Sequence, residues 1–231
     1  MRQLLQARQL FDTAVRIGCA TLLLLGSLMP LAGFAQEGAA VAKLADLMLI
    51  LREAPGSNKL DDIIVPAEPL SAADTGWFDY LGDMQLRFVF DAGASLRDAS
   101  AGDLHSLQLS PSQAVRVALQ NIKRVYGEPE VRRGNGGLML IQGRSADFSA
   151  SYLLDKELWQ QLLTQAPGGL VVAAPKRGGL LFTPLADGKS VERLRKLIVP
   201  LQASSEQGKL SSALYLFKDG RWTIFQAPSG E

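Results

Sequence analysis

The chain predicts an α+β protein: a single domain with helices packed on a mixed, largely antiparallel sheet. Three observations carry the prediction. A capped amphipathic helix spans Pro111 to Tyr126, a run of five apolar residues without alternation spans Leu170 to Ala174, and an Asp219-Gly220 turn separates two short apolar strands near the C-terminus. Helical and hairpin signals follow in irregular order, with no internal repeat and no low-complexity tract.

The first 35 residues read as a secretory signal peptide. Arg2, Arg8 and Arg16 precede an uncharged stretch from Ile17 to Ala35, which ends in the small-x-small pattern Gly33-Phe34-Ala35. Cleavage after Ala35 is expected, giving an extracytoplasmic protein, periplasmic or secreted, that begins at Gln36. The alternative is an uncleaved N-terminal membrane anchor, since the uncharged stretch is 19 residues long, near the roughly 20 that a spanning helix needs. Gly26, Pro30 and Gly33 weaken that helix toward its end. Cleavage also removes Cys19, the only cysteine, so the processed chain forms no disulfide and offers no thiolate.

The processed chain has 196 residues, enough for one core. Three arginines and one aspartate leave with the signal segment, so 21 basic residues face 22 acidic ones. That balance excludes a nucleic-acid footprint, and with no basic block the chain is not expected to insert stably in a membrane after cleavage.

Residues 36–76 read as an N-terminal helix followed by an extended connection. Leu44, Leu47, Met48 and Leu51 recur at helical spacing before Ala54-Pro55-Gly56, and Ile63-Ile64-Val65 forms a short extended piece between prolines. The α+β domain proper is placed at 77–227, with a short tail at 228–231. It opens with strands around Trp77 to Leu81 and Gln85 to Phe90, turning at Gly82-Asp83. In the Pro111 helix, Ser110 and Gln113 form a capping box and Pro111 takes the first helical position. Val115, Ala118, Leu119, Ile122 and Val125 line its inner face, and Gly127 ends it. Asp155 caps a second helix over Lys156 to about Gln165, with Leu158, Leu162 and Leu163 inward. A third runs from Val191 to about Val199, with Ser190 at its cap and Pro200 at its end. Strands are expected at Leu138 to Gln142, Leu170 to Ala174, Leu180 to Thr183, Ala213 to Phe217 and Trp222 to Phe225. Hairpins turn at Pro175-Lys176-Arg177-Gly178 and Lys218-Asp219-Gly220.

The order of segments resembles the YtpQ-like family of bacterial domains of unknown function. The resemblance rests on Tyr80-Leu81-Gly82-Asp83 with its following strand and on Ala118-Leu119-Gln120-Asn121-Ile122. It continues through Asp147-Phe148-x-Ala150-Ser151-x-Leu153-Leu154 leading to Trp159, and Val172-Ala173-Ala174-Pro175-x-Arg177 followed by Leu180-Leu181-Phe182. It spans about Phe78 to Phe225 and implies one α+β unit with no established activity. In such domains an acidic residue usually follows the Pro-x-Arg turn; here Gly178 and Gly179 stand there.

Catalytic inventory is thin. His105 is the only histidine and no Gly-x-Ser-x-Gly elbow occurs, so a Ser-His-Asp triad finds little support. His105 reads as a solvated connector residue before the Pro111 helix. Zinc sites built from His and Cys are excluded after cleavage, and no metal or cofactor is expected. Arg132-Arg133-Gly134-Asn135-Gly136-Gly137 leads into an apolar strand and not a helix, so it reads as a turn; Gly188-Lys189-Ser190 lacks the first glycine of a phosphate-binding loop and reads as a helix start.

What survives is positive charge at turns: Arg132, Arg133, Arg144, Lys176 and Arg177. If these converge they form an anion-recognising face, because guanidinium forks match carboxylate and phosphate; otherwise they serve solubility. Arg177, Lys176, Asp147, Ser151 and Arg144 are the candidate ligand-binding residues, with Asp147 and Ser151 as polar partners. The expected function is a non-enzymatic binding or structural module whose partner is an envelope protein or an anionic small ligand. The alternative is an extracytoplasmic hydrolase or transferase using carboxylates and Ser.

Overall fold

Leu47, Met48, Leu49, Ile50 and Leu51 are five consecutive apolar residues, all buried, and they form a strand. A computed structural model describes residues 43–53, 77–93, 95–204 and 208–229. In it Leu44–Asp46 is a single 3-10 turn and β1 spans Leu47–Glu53. The predicted helix here is therefore corrected. A segment that is apolar at every position satisfies helical spacing trivially, and full-length antiparallel pairing with the next strand but one decides the conformation. The Ile63-Ile64-Val65 piece lies outside the described residues.

β2 (Trp77–Tyr80) and β3 (Met84–Asp91) form the predicted hairpin. β1 pairs with the other edge of β3, and the short β4 (Leu96–Asp98) pairs with β3 at Val89 to Asp91, beyond the end of β2. This gives a first antiparallel sheet, of four strands.

The second sheet has six strands. These are β5 (Glu130–Arg133), β6 (Met139–Gln142), β7 (Leu170–Lys176), β8 (Gly179–Pro184), β9 (Leu214–Lys218) and β10 (Arg221–Gln226), in the order β10-β9-β7-β8-β6-β5. Both predicted hairpins are present. The α+β class holds, but the strands divide into two sheets, and every pairing between described strands is antiparallel.

β7 is central and covered on both faces, as its unbroken apolar run requires. Leu170, Val172 and Ala174 point into the main core. Val171 and Ala173 face Val191, Leu194 and Ile198 of the last helix, α4 (Gly188–Ala203). That helix begins three residues earlier than the sequence suggests, because Asp187 caps it through the Ser190 amide at 3.1 Å. It also continues through Pro200. Five earlier elements complete the fold: α1 (Ala101–Ser106), α2 (Pro111–Tyr126), a 3-10 turn at Asn135–Gly137, a 3-10 segment at Ser149–Leu154 and α3 (Lys156–Leu163). All belong to the unit Ala40–Glu231.

α1 is absent from the sequence reading. Its start is encoded by a Ser100-x-x-Asp103 capping box, and His105 is exposed on it. α2 keeps its predicted bounds, but its fully buried stripe is Pro111, Ala114, Ala118, Asn121 and Ile122, while Val125 is exposed. The Asn121 amide donates to the Leu44 and Leu47 carbonyls at 2.8 and 2.9 Å, fixing the start of β1. In α3 the buried anchor is Trp159, whereas Leu158, Leu162 and Leu163 are only partly covered.

The two sheets are joined at a polar point. Gly82, with φ of +71°, lets the β2–β3 turn approach Tyr215 of β9 so closely that a Cβ there would lie 3.0 Å from the tyrosine oxygen. The Tyr215 hydroxyl donates to Asp83 Oδ1 at 3.1 Å and hydrogen-bonds Ser211 Oγ at 2.6 Å. Burial raises the Asp83 carboxyl above its ordinary range, against the hydrogen bonds from Ser211, its own backbone and Tyr215. A carboxyl raised in the folded state favours folding when protonated. Its contribution is full below about pH 4 and is lost as pH climbs through the raised value. Asp83→Asn keeps an acceptor for Tyr215 and removes the charge. The variant is expected to melt higher than the parent at pH 7 and to match it near pH 3; equal melting temperatures at pH 7 contradict this.

Candidate functional site

The β7–β8 turn carries Lys176 and Arg177, the cations that the sequence singles out. The Arg177 amide donates to the Gly208 carbonyl at 3.0 Å, and its carbonyl accepts from the Ala150 amide at 2.8 Å. Its guanidinium Nη1 meets Asp147 Oδ1 at 2.8 Å, with the Arg177 side chain 18% exposed and Asp147 52%. Gly208, at φ of +78°, lies against the same guanidinium, where a Cβ would come within 3.0 Å of Nε. Arg177 thus ties the Asp147 turn to the Gly208-Lys209 segment. Gly178 and Gly179 follow Arg177 in the chain, and its carboxylate partner comes from 30 residues earlier in sequence.

The remaining candidates do not join Arg177 and Asp147. Ser151 is fully buried and donates to the Leu49 carbonyl at 2.8 Å, so it bonds the 3-10 segment to β1 and faces no ligand space. Arg144 is exposed against Gly127, after α2. Lys176 Nζ reaches Ser204 Oγ at 3.3 Å. Arg132 bonds Gln142 Oε1 at 2.8 Å on the outermost strand, and Arg133 is exposed beside it. The glycine-rich turn after them docks on the start of α4, where Ser190 Oγ donates to the Gly136 carbonyl at 3.3 Å.

Positive charge does converge, but around different residues. A cleft of about 410 Å³ is lined by Arg52, Glu53, Arg87, Gly208 and Lys209, within the range of small-molecule sites. Arg52 ends the apolar run of β1 and sits opposite Gln85; Arg87, two residues further along β3, sits opposite Ile50. Opposite residues in an antiparallel pair share a face, so both arginines project from the same side of the first sheet as diagonal neighbours, about 7–8 Å apart at the backbone. The exposed Lys209 comes from the segment that Arg177 holds, and its backbone bridges that of Lys176.

The electrostatics follow from this crowding. Burial lowers the pKa of Arg52, the like charge of Arg177 lowers it further, and Asp147 and Asp98 oppose the shift. Burial likewise lowers Arg87, with Asp98 raising it and Arg52 lowering it. Both remain cations at neutral pH. Asp98 lies 4.0 Å from Arg87 Nη1 and is 58% exposed, a distance at which an exposed acid contributes little. An anionic group in the cleft faces Arg52, Arg87 and Lys209 together with the single carboxylate of Glu53.

Among the described residues no group of three or more His, Cys, Asp or Glu comes together, and no helix is long and apolar enough to cross a membrane. No family model, no curated protein and no solved structure matches the chain.

Arg52 and Arg87 escaped the sequence reading because their convergence depends on the β1–β3 register. A signal was present: Arg87 interrupts the apolar strand Leu86 to Phe90, and Arg52 closes the run Leu47 to Leu51. Neither acquires meaning until residues 47–53 are read as a strand.

Proposed function

We propose that the protein is an exported, non-enzymatic binding module whose ligand presents an anionic group to the cleft between β1, β3 and the Gly208-Lys209 segment. One observation carries the reading: Arg52, Arg87 and Lys209 come from three separate stretches of chain to line one cleft. Cations spread for solubility have no reason to meet in this way. Arg177 acts behind the cleft, positioning Gly208 and Lys209 through its backbone and adding to the positive field. The alternative of an extracytoplasmic hydrolase or transferase using carboxylates and Ser gains no support from Ser151, which is buried with its hydroxyl engaged. The arginine-flanked apolar segment supports export. The segment order supports kinship with YtpQ-like domains, in which this arrangement adds a candidate binding face.

The test uses the protein recovered from the cells that make it. Its N-terminus is expected to be Gln36 by mass spectrometry, and citrate, a compact polyanion, is expected to bind at low ionic strength and progressively less as salt rises. An intact Met1 in a membrane fraction contradicts the export half. A folded protein that binds no citrate at any salt contradicts the cleft half.

A further inference from the structure

We infer that the cleft takes a phosphate monoester on a small soluble molecule, a ligand class that rests on the anion-binding reading above and narrows it. The argument is one of matching donors to acceptors. Arg52 and Arg87 stand as diagonal neighbours on one sheet face, and Lys209 lines the same cleft, so three cations outnumber the one carboxylate there, Glu53. A carboxylate has two oxygens and one charge, which a single guanidinium fork satisfies. A phosphate monoester has three terminal oxygens and carries about −1.5 to −2 charges near neutral pH, so it can engage both arginines and Lys209 together.

Two further observations bear on what carries the phosphate. The cleft, at about 410 Å³, is much larger than a bare inorganic ion needs, which leaves space for an organic body of modest size. The processed chain is close to electroneutral, with no basic block, so its surface offers no general attraction to an anionic bilayer. A soluble ester fits both observations better than a lipid headgroup. Arg177 enters as a positioning residue: its Nη1 is held by Asp147 and it does not line the cleft, so it shapes the wall and does not grip the ligand.

The test is calorimetric titration of the processed protein with glycerol 3-phosphate, citrate and acetate at low ionic strength. It is run alongside co-sedimentation with phosphatidylcholine vesicles containing phosphatidic acid. Glycerol 3-phosphate is expected to bind at least about tenfold more tightly than acetate. Arg52→Gln is expected to weaken its binding by about tenfold or more, the loss associated with a hydrogen bond to a charged group. Lys209→Gln, an exposed change that leaves the melting temperature in place, is expected to weaken it severalfold. It serves as the decisive variant if Arg52→Gln does not fold.

Binding of citrate that depends on these residues, with no binding of the phosphate ester, overturns the phosphate assignment and leaves the anion cleft standing. Variant-sensitive binding to vesicles without binding of the soluble ester overturns the soluble source. Loss of all binding in the folded parent, or binding indifferent to both variants, overturns the assignment together with the reading it rests on.

Discussion

Trp159→Ala is expected to cost about 3–5 kcal/mol of stability, the range for emptying a buried aromatic site. Trp159 is completely buried in α3 and forms the hub of an aromatic cluster. Its ring meets Phe182 edge-on at 5.8 Å, Trp222 edge-on at 5.1 Å and Phe217 at 6.2 Å. The indole N–H donates to the Tyr152 carbonyl at 2.9 Å, which adds the 3-10 segment to the same junction. Truncation therefore leaves a cavity beneath β8, β9 and β10 and removes one of two hydrogen bonds to the Tyr152 carbonyl, which keeps the bond from the Asp155 amide at 3.1 Å. For a domain of this size the loss corresponds to about 6–20 °C in melting temperature. Trp159→Phe fills most of the space and forfeits only the hydrogen bond and part of the ring, so it is expected to cost less than half as much. Equal costs for the two variants contradict this account of the cluster.

The second large effect belongs to Lys123. Its ammonium group lies 2.8 Å from Asp155 Oδ2 and 3.1 Å from Glu128 Oε2, with Asp155 only 7% exposed and Lys123 24%. Asp155 also caps α3 by accepting from the Leu158 amide at 3.2 Å. Removing the lysine leaves a carboxylate shielded from water beside apolar neighbours, a loss that reaches 3–5 kcal/mol for fully buried pairs. Because Lys123 keeps partial contact with solvent, Lys123→Met is expected to cost less, about 2–3 kcal/mol. Adding Asp155→Asn neutralises the stranded charge while retaining an oxygen for the cap, so the double variant is expected to regain at least half of the loss. Chemical denaturation of the parent and the two variants measures this directly. A double variant no more stable than Lys123→Met locates the effect in packing and not in charge.

These two positions also show how far the sequence could be read. Asp155 was legible as a cap and Pro111 as a first-turn residue, because such signals are local: a side chain bonds an amide two or three positions away. The two hairpin turns were legible for the same reason. The burial of Trp159 beneath three strands and the ion pair between Lys123 and Asp155 join elements that no local pattern connects. β1 was misread because a strand covered on both faces has no alternation, and its apolar run fits helical and extended spacing equally well.

The candidate site divides along the same line. Arg177 and Asp147 were recognisable as polar residues at turns, and the fold pairs them. Arg132, Arg133 and Arg144 share that chemistry but end up elsewhere on the surface, and Ser151 is drawn into the interior by the Leu49 carbonyl. Arg52 and Arg87 were hidden because each is unremarkable alone. Their meaning lies in a register between two strands separated by more than 20 residues of intervening chain. Lys209 belongs to the site because the Arg177 amide holds Gly208 and the Lys176 backbone bridges that of Lys209. Local chemistry is written in the sequence, whereas convergence of charge is a property of the fold.

The most direct measurement is an NMR titration of the processed protein with glycerol 3-phosphate, following backbone amides and arginine side-chain Nε–H signals. The account predicts saturable shifts concentrated at Arg52, Arg87, Gly208 and Lys209, with Arg132, Arg133 and Arg144 unmoved. Shifts centred on the Arg132-Arg133 strand, or spread evenly over the surface lysines and arginines, contradict it.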